Sequence, residues 1–262
     1  MQNAGIAALG LNWRYLAFEV DPKNLREAIA GAKQMGFIGV NLTVPHKLLA
    51  VDMVDVLDAS AKAWGAVNTI RFESSNQGDV MAHGFNTDAD AITRSLKEDL
   101  GVELRGSNIL LLGAGGAGRV AALKLAADGV GELNLVNRTE SKATAVAEEI
   151  RQRHPAVKVN VGYPKNTVDL LLNATSLGLK NNDDLPLEQA RFSLNQAHAV
   201  YDMIYRPAET PLLKAAKAAG CRTANGISML LYQGAKALEI WAGKPAPIAV
   251  MRRALEENVY GS

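Results

Sequence analysis

A single cysteine, Cys221, occurs among 262 residues, so no internal disulfide can form and the chain reads as one suited to a reducing compartment. The four histidines are scattered without cysteine partners, which excludes the ligand spacing of a structural zinc and predicts no metal. Neither sign of charge predominates: lysine and arginine total 28 against 27 acidic residues, with no run of like charge, which argues against nucleic acid or an anionic membrane as a partner. No apolar run nears the roughly 18 residues that a membrane helix needs. The apolar patch between Ala4 and Leu11 lacks the basic segment and cleavage site of a signal peptide. A cytoplasmic protein is expected. Internal repeats and low-complexity tracts are also missing.

What is there is enough apolar sequence, 48% of the residues against 21% charged, to bury a substantial core. The length suits two domains of ordinary size better than one large domain. The first residues read as the end of a helix closed by Gly10, and 14–20 has the aromatic and apolar content of a strand. A helix over 24–34 closes at Gly36, and 37–43 is a short strand. Apolar side chains recur at helical spacing over 47–63. Residues 67–72 and 79–85 read as a strand pair around the turn-prone 74–78. A helix over 87–100, ended by Gly101, and the polar 101–106 then lead out of this part of the chain.

From Ser107 the alternation is regular: strand 108–112, helix 117–127, strand 132–136, helix 141–153, strands 157–161 and 168–173, strand 198–204, helix 210–219 and a short strand 222–224. Two helices, 227–242 and 247–258, end the chain with long apolar faces. The fold class is therefore α/β in two domains. An N-terminal α/β substrate domain comprises 1–87 with 227–262, its C-terminal helices folding back on it, and a doubly wound Rossmann-type domain comprises 88–226.

The strongest local motif is Leu110-Leu-Leu-Gly-Ala-Gly-Gly-Ala-Gly118, because it follows an apolar strand and opens an alanine-rich helix. Gly113 permits a tight turn, Gly115 and Gly116 let the backbone approach a pyrophosphate, and Gly118 allows close helix packing. Ala114 and Ala117 complete the loop, and the helix start offers N–H groups to an anion. At the end of the next strand an NAD site would carry a carboxylate for the ribose 2′-hydroxyl. Here Asn137-Arg-Thr-Glu-Ser-Lys142 stands instead, whose arginine, hydroxyl and lysine suit a 2′-phosphate. NADP(H) is the expected cofactor, although the same residues would serve equally as solvated positions at a helix start.

A dinucleotide fold does not name a reaction. Polar residues cluster where strands of the first domain end: Asn41, Thr43 and Lys47 around a proline turn, Asn68 entering a strand, and Asp88 closing Asn86-Thr-Asp88. Ketone reduction by hydride needs a proton donor to the developing alkoxide, and the reverse reaction needs a base. A lysine oriented by an aspartate can serve as both, while uncharged hydrogen-bonding groups such as Asn41, Thr43 and Asn68 suit a polyol. Each residue alone would equally be a turn residue or a strand-end cap.

Taken in order, Asn41-Leu-Thr-Val-Pro-His-Lys47, Gly65-Ala-Val-Asn-Thr69, Asn86-Thr-Asp88, Gly113 to Gly118, Asn137-Arg-Thr139, Asn173-Ala-Thr-Ser176, Tyr201-Asp-Met-Ile-Tyr205 with Thr210-Pro-Leu-Leu213, and Asn225-Gly-Ile-Ser-Met-Leu230 leading to Gln233 resemble the shikimate dehydrogenase family over essentially the whole chain. The resemblance implies an NADP-dependent enzyme that interconverts 3-dehydroshikimate and shikimate on the route to chorismate and the aromatic amino acids, acting as a monomer or homodimer. It makes Lys47 and Asp88 the catalytic pair and gives Asn41, Thr43, Asn68, Tyr205 and Gln233 to the substrate. Asn137, Arg138, Thr139 and Lys142 would hold the adenosine ribose phosphate, with Met203 and Gly226 near the nicotinamide. It also makes His46, beside Lys47, structural, as expected for His83, His154 and His198; Cys221 reads as an inert core thiol, and Trp64 and Trp241 as helix-packing residues.

Family members carry a strand and a Ser-Leu-Ser-Pro-like loop ahead of the helix that here starts at Met1, and the resemblance assigns those serines to the substrate carboxylate. The chain as written is therefore expected to bind NADP but to hold shikimate weakly. Ala91 and Ser228 stand where the family commonly has glycine. Two alternatives stay open at this point: a quinate/shikimate dehydrogenase of broader specificity, and a truncated nucleotide-binding protein with little turnover.

Overall fold

The computed structural model describes residues 1–74, 78–180 and 182–261. The chain divides into two compact units, Met1–Ala89 with Leu231–Ser262, and Asp90–Leu230. Helix α1 (Gln2–Ala8) is followed by an irregular segment and by α2 (Leu25–Gln34). Pro22 opens a 3-10 turn capped by Asp21, which accepts from the Lys23 N–H, and Gly36 at φ +73° ends the helix region as capping rules require. Leu25, Ile29 and Ala32 are buried along one face of α2; Leu25 and Ile29 join Ala50, Ala61, Val67, Ile70 and Ala82 in the unit's core. Each fully buried aliphatic side chain of the size of leucine or isoleucine stabilises by about 1.5–3 kcal/mol.

β1 (Gly39–Asn41), α3 (His46–Leu49), β2 (Val56–Leu57), α4 (Ala59–Trp64), β3 (Thr69–Ser74) and β4 (Val80–Phe85) follow. The sheet order is β1-β3-β4-β2. β3 and β4 form the expected antiparallel pair, from Thr69 opposite Phe85 to Ser74 opposite Val80. Of the turn expected between them, Ser75, Asn76 and Gln77 lie outside the described residues.

Two expectations fail in this unit. Residues 14–20 form no regular element and join no ladder. Side chains take their backbone groups instead: Tyr15 N donates to Asn3 Oδ1 (2.7 Å), Asn3 Nδ2 donates to Tyr15 O (2.9 Å), and His46 Nε2 lies 2.9 Å from Val20 O. Leu16 and Phe18 are each 66% exposed, so the segment has no buried face to dock on a sheet. The helical spacing over 47–63 is likewise broken, into α3, a 3-10 turn at Ala50–Met53, β2 and α4. Aspartates explain the break, since their side chains compete for backbone N–H groups. Asp55 N donates to Ala82 O while Asp55 Oδ2 accepts from Ala82 N (2.7 Å), and Asp58 caps α4 through Ser60 N (2.8 Å).

α5 (Asp88–Leu100) carries the chain into the second unit, and Gly101 at φ +61° closes it. That unit starts at Asp90, so most of α5 and all of 101–106 lie inside it. It contains β5 (Asn108–Leu112), α6 (Gly116–Ala127), β6 (Glu132–Val136), α7 (Glu140–Arg153), β7 (Lys158–Val161), β8 (Val168–Asn173), β9 (Ala197–Asp202), α8 (Pro211–Ala218) and β10 (Arg222–Asn225). All pairings are parallel, in the order β10-β9-β8-β5-β6-β7. The direction of winding reverses between β5 and β8, and in such sheets ligands bind beyond the strand C-termini at that reversal. Ile109 to Leu112 and Leu170 to Leu172 are fully buried, as befits strands covered on both faces. β9 stops at Asp202, short of the expected Ile204, because Asp202 Oδ1 accepts from Ile204 N (3.1 Å) and turns the chain.

The chain re-enters the first unit within α9 (Ile227–Ala242) and continues to α10 (Ile248–Tyr260). α10 lies against α1, where a Cβ on Gly5 would stand 2.7 Å from Leu238 and 3.0 Å from Met251. Trp241, expected simply to pack helices, donates its indole N–H to Ile70 O (2.9 Å) and lies 6.1 Å from the Tyr15 ring. A Cβ on Gly39 would fall 2.2 Å from both Ile70 O and Trp241 Nε1, so this strand admits no side chain there. Gly39→Ala should therefore destabilise the fold by about 2–3 kcal/mol through overpacking and loss of the indole bond, read as a lower urea midpoint by tryptophan fluorescence. An unchanged midpoint would mean that strand and helix move apart at little cost.

Candidate active site

In the first unit, the end of β1 and the start of α3 bring Asn41 and Lys47 to the place where β3 begins and β4 ends. Lys47 Nζ donates to Asp88 Oδ2 at 2.8 Å, with the two side chains 27% and 12% exposed. Asp88 is aimed by its own helix start: Asn86 Oδ1 accepts from Asp88 N (3.1 Å) and Ala89 N (3.3 Å), while Asn86 Nδ2 donates to Ala66 O. The carboxylate thus holds one ammonium hydrogen while the ammonium stays partly open to solvent. The pair can offer a proton to an oxygen and take it back.

Asn68 is 1% exposed. Its Oδ1 accepts from Thr87 N (2.9 Å) and from Thr69 Oγ1 (3.1 Å), and its Nδ2 donates to Thr87 Oγ1 (2.9 Å). Asn41 Nδ2 donates to Thr69 Oγ1 (2.9 Å) and Asn68 O (3.2 Å), and Asn41 Oδ1 accepts from the Tyr15 hydroxyl (3.0 Å). Burial pushes the Tyr15 phenol pKa up, which keeps its hydroxyl a donor. Asn41 and Asn68, expected at the substrate, are joined to each other and held by neighbours. Thr43 is exposed and Gln233 half-buried on α9, whereas Tyr205, 38% exposed, belongs to the other unit. Tyr15, Asn86 and Thr87 received no role from the sequence. Asn86 and Thr87 stood inside a quoted motif, but nothing local tied Tyr15 to Asn41.

In the second unit the glycine loop leaves the C-terminus of β5 at the reversal point. Gly113 N donates to Val136 O, its φ is +104°, and a Cβ there would lie 2.9 Å from the Ala174 carbonyl. A Cβ on Gly118 would fall 2.1 Å from Gly113 O. Gly115 and Gly116 differ: both are exposed, and a Cβ on either would meet open space. Among the described residues no protein atom demands glycine at those two positions, so the bare backbone faces outward, at the start of a helix with no side-chain cap. An anion fits there.

Asn137 Oδ1 accepts from Ala114 N (2.9 Å), and Asn137 Nδ2 donates to Thr139 O (2.8 Å), which ties the glycine loop to the turn after β6. Arg138, Thr139 and Lys142 are exposed beside it. Among the described residues no carboxylate is paired with Arg138 or Lys142, so both cations are available to a phosphate. Met203 and Gly226 are brought together: a Cβ on Gly226 would lie 2.1 Å from Met203 O, and Gly226 N donates to Ile204 O (3.2 Å). The donor set fits a dinucleotide carrying a 2′-phosphate. Among the described residues no cluster of histidine, cysteine and carboxylate could hold a metal, and no helix is long and apolar enough to cross a membrane.

Known proteins resemble this chain in sequence and fold. The shikimate dehydrogenase substrate binding domain matches residues 1–70, the shikimate/quinate 5-dehydrogenase family 95–179, and the shikimate 5′-dehydrogenase C-terminal domain 226–256. The NADP(+) shikimate dehydrogenase of Moorella thermoacetica is 43% identical over 100% of this chain and 89% of its own length. A crystal structure of a shikimate dehydrogenase with NADP+ superposes with a TM-score of 0.87 at 37% identity, covering 98% of this chain and 89% of that one. The shikimate 5-dehydrogenase of Thermus thermophilus, solved with NADP(H) and shikimate, has a TM-score of 0.82 at 34% identity, covering 97% and 92%.

The tie between the glycine loop and the turn after β6 can be tested without any ligand. Asn137→Ala leaves Ala114 N without its acceptor, so hydrogen exchange at that amide should speed up by about tenfold, the equivalent of one lost hydrogen bond. Unchanged protection would show that another group holds the loop.

Proposed function

The chain belongs to the shikimate dehydrogenase family, and from that membership and its own two sites we infer that it catalyses the reversible NADPH-dependent reduction of 3-dehydroshikimate to shikimate, a step toward chorismate and the aromatic amino acids. The observation that carries this reading is the Lys47–Asp88 pair at 2.8 Å, in a chain that also bears an outward-facing glycine loop and, after β6, two cations with no carboxylate partner among the described residues. NADPH, when bound, supplies the hydride.

The protein's own groups do the rest. Lys47 gives a proton to the oxygen of the reducing carbonyl and, in reverse, takes it from the shikimate hydroxyl. Asp88 keeps the ammonium aimed through the 2.8 Å bond to Lys47 Nζ. Asn41, Thr43, Asn68, Gln233 and Tyr205 hydrogen-bond the ring hydroxyls. On the nucleotide side, Gly113, Ala114, Gly115, Gly116, Ala117 and Gly118 receive the pyrophosphate. Asn137 shapes that loop, Arg138, Thr139 and Lys142 take the 2′-phosphate, and Met203 with Gly226 borders the nicotinamide. The enzyme works in the cytoplasm as a monomer or homodimer, and its single cysteine suits a reducing compartment.

NADP+ reduction by shikimate, followed by absorbance, tests the reading directly; no turnover would refute it. Lys47→Ala should lower kcat by about 10² to 10⁴-fold, the usual contribution of a general acid/base, while NADP+ still binds. Near-normal kcat in that variant would remove Lys47 from the mechanism. Arg138→Ala should weaken NADPH by about one to two decades and NADH hardly at all, because only NADPH carries the phosphate that a guanidinium pairs with. Equal losses for both cofactors would assign Arg138 a structural role.

A further inference from the structure

Asp202 is a carboxylate with no solvent exposure at the C-terminal end of β9. No cation is paired with it among the described residues; three donors from three segments converge on it. Asn173 Nδ2 reaches Oδ1 at 3.0 Å from the end of β8, Ile204 N reaches Oδ1 at 3.1 Å, and Thr210 Oγ1 reaches Oδ2 at 2.7 Å from the cap of α8. A buried carboxylate is costly unless hydrogen bonds replace its water. Burial pushes its pKa up, against three hydrogen bonds that favour the ionised form. A core position with no further duty would be filled at less cost by an apolar side chain.

What this network holds is the residue pair that follows. Met203 N donates to Asn173 O (2.9 Å), the Met203 carbonyl lies against Gly226, and Ile204 is gripped through its N–H by Asp202 and through its carbonyl by Gly226 N. Asn173 is itself locked, since its Oδ1 accepts from Thr175 N (3.0 Å) and Thr175 Oγ1 (2.8 Å). The backbone of Met203 and Ile204 is therefore held from both sides, in part by a side chain that does not reach the surface.

We propose that Asp202 is a positioning residue for the nicotinamide end of the cofactor: its buried carboxylate, with Asn173 and Thr210, fixes Met203 and Ile204 against Gly226 so that the wall bordering the nicotinamide is formed before the cofactor arrives. This rests on the reading that places Met203 and Gly226 beside the nicotinamide. It separates Asp202 from the groups that hold the phosphates, and that separation can be measured.

The test compares, by calorimetry on the full chain, NADP+ with 2′-phospho-ADP-ribose, which keeps the phosphates and lacks the nicotinamide. The unaltered protein should bind NADP+ more tightly. Asp202→Ala should weaken NADP+ by about tenfold and change 2′-phospho-ADP-ribose by less than about twofold, as expected where only the nicotinamide wall loosens. Asp202→Asn should restore most of the difference, because an amide can accept from Asn173 and Ile204 and donate to Thr210. Thr210→Val, which removes one donor to Asp202 together with the α8 cap on Leu213 N (3.3 Å), should shift NADP+ in the same direction by about threefold, and it serves where the alanine variant does not fold. Equal weakening of both ligands, unchanged NADP+ affinity in the folded variants, or equal affinity of the unaltered protein for the two ligands would each overturn the proposal. Failure of the unaltered protein to bind either ligand would overturn the NADP reading beneath it.

Discussion

The carbonyl of Gly113 and the Cα of Gly118 approach so closely that a methyl group on the latter would sit 2.1 Å from the oxygen. That contact sets how near the first turn of α6 comes to the end of β5. It follows from the parallel winding of the sheet, which brings a helix start back over the strand it has just left. Ala174, at the end of β8, closes the other side of Gly113. Glycine at 113 and 118 is demanded by protein packing, whereas glycine at 115 and 116 answers to open space. This difference separates the residues that build the loop from those that leave its backbone open to solvent.

The first unit is held at its site by polar side chains standing in for backbone. Asn68, Asn86, Asp55 and Asp58 all accept from main-chain N–H groups near strand or helix ends, which satisfies groups that so short a sheet leaves unpaired. The same stitching aims the Lys47–Asp88 pair. At 27% and 12% exposure the pair is largely withdrawn from water, where the cost of desolvating two charges offsets much of their attraction, so stability is a weak reason for placing it there. The proton-transfer role proposed for it is a further reason.

In the second unit the same device appears with a buried charge. Asn173, Asp202 and Thr210 are each fully buried, and their bonds run between segments that adjoin at the C-terminal edge of the sheet. A polar network in a low-dielectric interior specifies geometry more sharply than apolar contact does, because each broken bond leaves an unsatisfied group. Such precision is expected where backbone must be presented to a ligand.

The regular alternation from Ser107 onward, the glycine loop and the missing carboxylate after β6 are local signals, and the α/β class and the cofactor were legible from them, whereas the family was legible as a resemblance carried by the whole ordered set of motifs. So was the union of Asn41, Lys47, Asn68 and Asp88, though only as residues of an ordered set of motifs. Residues 14–20 and 47–63 misled for a physical reason: composition and spacing record what a segment could do, but the side chains of Asn3 and His46 took backbone groups of the first, and the β4 backbone and the segment's own Asp58 took those of the second. By itself the sequence determined the periodic elements, the turns that need glycine and the chemical types at the site, because each depends on neighbours along the chain. Only the tertiary structure decided that Tyr15 meets Asn41 across 26 residues and that Trp241 reaches Ile70 across 171. Those pairings depend on how the sheets order their strands, which no local pattern encodes.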